Sequence, residues 1–144
     1  MADFIKASYL IISILMTTLY LYSSSATAVD EQTKMENAAF KDAVQAVKGK
    51  NYAVAIALFE EQAKLPRHDA QYNLAILLNA GKGRPRNYVD ALYWSWQAQL
   101  GNIEDAENLA NDIIDLLPPK TADEVRGRVG KTLEARIEAN DILA

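Results

Sequence analysis

The chain has 144 residues, half of them hydrophobic and 24% charged, with a net charge of −4. That is the composition of one globular domain, and its acidic balance argues against nucleic acid, which needs a concentrated positive field. There is no cysteine, which excludes disulfides, thiol chemistry and a lipid-bearing cysteine.

The first 28 residues differ in character from the rest. Ala7 to Tyr22 is a run of 16 residues without a charge, and Ser23 to Ala28 (SSSATA) ends in a small-x-small pattern. As a helix the run reaches about 24 Å, short of the roughly 30 Å of a bilayer core. Residues 1–28 therefore read as a signal peptide cleaved after Ala28, with an uncleaved signal anchor in the inner membrane as the alternative. Contact with a membrane is expected only through this segment before cleavage. The remaining chain keeps its net charge of −4, because the segment carries one acid (Asp3) and one base (Lys6). An exported domain without cysteine or an Asn-x-Ser/Thr acceptor fits a bacterial periplasm.

After Ala28 the apolar spacing is helical throughout, with breaks at turn residues. Phe40, Ala43, Val44 and Val47 recur at threes and fours and end at Gly49. A second helix runs from Tyr52 to Lys64 and is closed by Pro66. Asp69 is placed to cap a third, carrying Leu74, Ala75 and Leu78 and stopping at Gly81. Asn87 and Asp90 form a capping box for Tyr88 to Leu100, and Asn102 and Asp105 do the same for the helix through Ala106, Leu109, Ala110 and Ile113. Thr121 and Glu124 are expected to cap a last helix with Val125, Val129, Leu133 and Ile137 down one stripe. The reading is six helices with short links.

An internal repeat organises them. Asn51-Tyr52-x-x-Ala55 recurs 36 residues later as Asn87-Tyr88-x-x-Ala91, and the same shift carries Leu58 onto Trp94, Asp69 onto Asp105, Ala70 onto Ala106 and Leu78 onto Ile114. Before Asn51 the register becomes 32, placing Ala43 over Ala75 and Gly49 over Gly81. The difference falls in the link that holds GKGRPR, Gly81 to Arg86. Those six residues have the wrong spacing for a phosphate-binding loop and follow a helix instead of a strand. They read as a turn: Gly81 in the left-handed position, Gly83 to bend, Pro85 to restrain the exit, and Lys82, Arg84 and Arg86 as solvent-facing charge.

With Ala70, Leu74, Gly81, Gly83, Ala91, Trp94, Ala98 and Ala106 in register, this stretch resembles a SEL-type repeat, a relative of the tetratricopeptide repeat. It departs from that pattern at Ala75, Leu78, Arg84, Asn87 and Gln99. The resemblance implies an all-α fold: a short right-handed α-solenoid of about three antiparallel helical hairpins over residues 29–144, ending in a capping helix. It also implies an interaction scaffold, and exported relatives restrain sensor kinases or modulate envelope pathways.

The inventory for catalysis is poor. From Val29 onward there is one serine, Ser95, and one histidine, His68, with no evident reason to meet. His68 reads as a loop residue, and Asp112 with Asp115 as a solvated helix face. No cofactor or metal site and no enzyme activity are expected. The expected function is a periplasmic scaffold or regulator with a protein partner in the cell envelope; the alternative is a small carbohydrate- or peptidoglycan-binding protein that uses its aromatic residues. Trp94 is expected in the core. Trp96, turned about 200° from it on a helix, either packs on the neighbouring hairpin or is a partly exposed anchor. In tetratricopeptide-like solenoids the first helix of each hairpin lines the concave face. That places Asp69, Tyr72, Ile76 and Asn79 in a groove, with Asp105, Asn108 and Asp112 (and Asp115) in the next hairpin and Asn37, Phe40 and Val44 in the one before.

Overall fold

The computed structural model describes residues 29–143, and every regular element within them is a helix. The signal-peptide reading of residues 1–28 lies outside the described residues. Helix α1 covers residues 29–48. It is followed by α2 (Tyr52–Ala63), α3 (His68–Ala80), α4 (Tyr88–Gln99), α5 (Glu104–Ile114) and α6 (Pro119–Leu143). Among the described residues no helix is long and apolar enough to cross a membrane.

Packing divides the chain after Ala38. Before that point most of the described residues of α1 are exposed, with Gln32 Nε2 donating to Glu36 Oε1 at 2.7 Å and Thr33 Oγ1 to the Val29 carbonyl at 2.9 Å. Residues 39–144 form the second unit, which holds the core. There α3 packs on α2, α4 and α5, and α4 packs also on α5 and α6. Consecutive α5 and α6 pack hardly at all on each other.

The core is mostly apolar, and several of its buried positions recur at a spacing of 36 residues. Ala55, Ile56 and Phe59 are buried on α2; 36 residues on, Ala91, Leu92 and Ser95 are buried on α4. Ala70, Leu74 and Leu77 on α3 map in the same way onto buried Ala106, Ala110 and Ile113 on α5. Trp94 is half-buried at the edge of this core, edge-to-face with Tyr93 at 4.8 Å.

The link between α3 and α4 behaves as read. Gly81 has φ 67° and ends α3, with the Lys82 amide reaching back to the Leu77 carbonyl at 3.0 Å. Gly83 has φ 84°, and a Cβ there would lie 2.6 Å from the Tyr52 carbonyl carbon, so glycine is required twice over. The three cations are exposed, but each sits on a partner: Lys82 over the Tyr52 ring, Arg84 on Glu60, and Arg86 on Tyr88.

Capping departs from expectation at three of four sites. Asn87 does cap α4, accepting from the Asp90 amide at 3.0 Å, while its side-chain amide donates to Asp90 Oδ2 at 2.7 Å. Asp69 is not a cap. α3 begins one residue earlier, at His68, so Asp69 stands in the first turn, accepting from the Ala70 amide and from Arg67 Nε. Asn102 does not cap α5 but takes a left-handed φ of 57°, which asparagine tolerates, and Ile103 precedes the helix. Thr121 and Glu124 lie inside α6, which starts earlier at Pro119, a position suited to proline because its first amides need no helical partner.

The stripe expected on α6 is also corrected. Val125 is buried and Val129 half-buried, but Leu133 and Ile137 are 41% and 53% exposed. A strict four-residue repeat advances 400° per step, so by Ile137 it has drifted about 120° from Val125. The inner face instead runs through Ala122, Val125, Val129, Thr132 and Arg136, at alternating threes and fours. Thr132 Oγ1 meets the Tyr93 hydroxyl at 3.0 Å, and Arg136 donates to Gln97 Oε1 at 3.2 Å.

Candidate functional site

Two surfaces carry chemistry beyond packing. The first is the face formed by α3 and α5, where most of the expected groove residues lie. Ile76 is 38% exposed, Tyr72 and Asn79 are half-buried, and Asp105, Asn108 and Asp112 are exposed on the neighbouring helix. Tyr72 and Asp105 interact across the two helices. Burial, and then the Asp105 carboxylate, raise the Tyr72 hydroxyl pKa above the ordinary tyrosine value. Asp69 belongs to this face by position, but its carboxylate is engaged by Arg67 and by the α3 backbone. Phe40 is half-buried. Its ring packs edge-on to Phe59 at 5.7 Å and lies under the Arg67 guanidinium at 4.4 Å.

The second surface is a cleft of about 500 Å³ between α5 and α6, floored by the end of α4. Trp96 and Leu100 come from α4, Glu107 and Ile114 from α5, and Arg126 and Val129 from α6. Trp96 combines packing with partial exposure. It is half-buried against the core, and it also lines the cleft, with the Arg126 guanidinium 5.3 Å from its ring centre. A hollow of about 360 Å³ adjoins it, sharing Gln99 and Glu107 and adding Glu104.

Glu107 and Arg126 were missed by the sequence reading, yet a signal existed. The 36-residue shift carries Ala63 onto Gln99 and Gln71 onto Glu107. At the earlier junction both residues are buried, and Gln71 Nε2 donates to the Ala63 and Leu65 carbonyls at 3.0 and 3.2 Å. At the later junction both are exposed. Replacing an apolar residue and an amide by an amide and an acid, at positions buried in the previous junction, marks a junction whose polar residue stays accessible.

Ser95 and His68 spend their hydrogen bonds separately. Ser95 Oγ donates to the Ala91 carbonyl at 2.8 Å within its own helix. His68 opens α3 instead of lying in a loop, correcting the sequence reading. Its Nδ1 faces Gln71 Oε1 at 3.0 Å and the Gln97 carbonyl at 2.9 Å. Both are acceptors, so Nδ1 carries the hydrogen. Among the described residues no three His, Asp or Glu side chains converge as a metal site.

Comparison with family models, curated proteins and solved structures gives no match to this chain.

Proposed function

We propose that this protein is a non-catalytic interaction scaffold of the bacterial periplasm, built as a short right-handed solenoid of three antiparallel hairpins and serving an envelope or membrane-sensor pathway. The arrangement of contacts supports the solenoid. First helices α3 and α5 touch each other, second helices α4 and α6 touch each other, and α4 also meets α5, while the third pair, α5 and α6, is splayed around the cleft. Buried positions recur at the same 36-residue shift. The observation that carries the functional reading is the face across α3 and α5, where half-buried Tyr72 interacts with exposed Asp105, with Ile76 exposed on α3 and Asp112 exposed on α5. An apolar centre with charged surroundings is the anatomy of a protein interface.

The test is capture from envelope extract with the wild-type chain and two surface variants. A stoichiometric protein partner lost with Tyr72→Ala, and bound more slowly with Asp112→Lys, supports the scaffold. Retention on cell-wall polymer alone replaces it with the carbohydrate-binding alternative.

A further inference from the structure

We infer that the cleft between α5 and α6 is a docking groove for an amphipathic helix of another protein, apolar on the side it seats and carrying lysine or arginine on the flank facing α5. The inference rests on the scaffold reading but uses a surface separate from the α3–α5 face.

Size and lining come first. About 500 Å³ is within the range of ligand sites, and Trp96, Leu100, Ile114 and Val129 give it an apolar bed. The two side walls are themselves helices, so an added helix can pack by side chains spaced at three and four. Indole anchors at the centre of such a bed are the residue type most often decisive in binding.

Charge identifies the flank. From Glu104 to Asp115 the chain carries five acids and no cation. None of these five forms an ion pair among the described residues. Five acids elsewhere are ion-paired: Glu60 with Arg84, Glu61 with Lys64, Asp69 with Arg67, Asp90 with Arg128 and Asp123 with Arg126. Of the five carboxylates of this stretch, Glu107 lies in the cleft itself and Glu104 in the adjoining hollow. A cationic flank matches them. A neutral sugar leaves them unmatched, and Arg126 already occupies a face of the indole that a sugar ring would need.

The experiment uses the full chain with Trp94→Phe, so that emission reports Trp96 alone. It is titrated with an 18-residue synthetic helix bearing leucines at i, i+3, i+4 and i+7 and lysines on one flank. The same helix with glutamates for lysines, and an N-acetylglucosamine oligomer, are the two other probes. Should Trp94→Phe not fold, the titrations are read by calorimetry on the wild-type chain. The lysine helix is expected to bind saturably and at least tenfold tighter than the glutamate helix, more weakly as salt is raised. With exposed Glu104 and Glu107 both changed to lysine the preference should reverse while helical content is kept. Equal binding of the two helices, an unchanged preference in the reversed variant, or a Trp96 response to the sugar oligomer alone overturns the inference. If the helices fail here but Tyr72→Ala still abolishes partner capture, the scaffold stands and only the cleft assignment falls.

Discussion

The junction between α2 and α3 and the junction between α4 and α5 lie 36 residues apart and both are packed, yet the matched polar residue is buried in one and exposed in the other. In the first, Gln71 is fully buried and its amide ties off the carbonyls that end α2. In the second, Glu107 can only accept when ionised, so it has nothing to offer the carbonyls that end α4, and it stands exposed at a cleft. The two seams thus differ in whether their polar residue is sealed against backbone carbonyls or left accessible. The lesson is that two stretches with matched buried alanines can differ in the one polar residue at their seam.

The strongest way to break this comparison is to exchange the two residues. Gln71→Glu places a carboxylate among carbonyl oxygens with no donor and should cost about 3–5 kcal/mol in chemical unfolding. Burial raises the folded-state pKa of the new acid above its unfolded value of about 4.3. Its penalty should therefore fade as pH drops through the folded pKa and be gone below the unfolded one. Glu107→Gln should leave stability within about 0.5 kcal/mol of wild type, as for other surface changes. Equal costs for the two would mean that the junctions are not different in kind.

Next in size is Gly101→Ala. Gly101 belongs to the second junction but lies against His68 of the first, and a Cβ there would stand 2.1 Å from the imidazole ring. Displacing that ring breaks its bond to the Gln97 carbonyl, at a cost of about 1–3 kcal/mol. A thermal melt shifted by less than a degree would show the seams to be uncoupled.

Smaller still is the effect expected on α6. Leu133→Ser and Ile137→Ser should each change stability by about 0.5 kcal/mol or less, because both side chains are largely exposed. A loss of 2 kcal/mol at either would restore the four-residue stripe as the packing face. The smallest effect concerns Tyr72. Its raised pKa means that the unfolded chain ionises first, near pH 10. Stability contributed by the neutral hydroxyl is present below that pH and is lost as pH rises towards the folded value. Tyr72→Phe should flatten this alkaline slope.

Much of the helical framework was legible because burial follows spacing. Ala55 and Ala91, or Ala70 and Ala106, occupy matched positions, and Gly81 and Gly83 announce their turn by type. Helix starts were less legible, since Asp69, Asn102 and Thr121 are all good capping residues, and backbone geometry decides which are used. Asn102 took the left-handed position, and Pro119 began α6 two residues ahead of Thr121. On the candidate site, the α3–α5 row from Tyr72 to Asp112 was read from the resemblance to tetratricopeptide-like solenoids combined with helical spacing. The cleft could not, because it depends on Arg126 coming from α6 to Trp96 on α4, a contact between residues 30 apart that no local pattern encodes.

Amide hydrogen exchange on the full chain tests the contrast between the two junctions most directly. The account predicts that amides from Gln71 to Leu78 exchange only through global unfolding. Those from Ala106 to Ala110 should exchange through a smaller opening, at least about tenfold faster, which corresponds to roughly 1.4 kcal/mol. Equal protection of the two segments would contradict it.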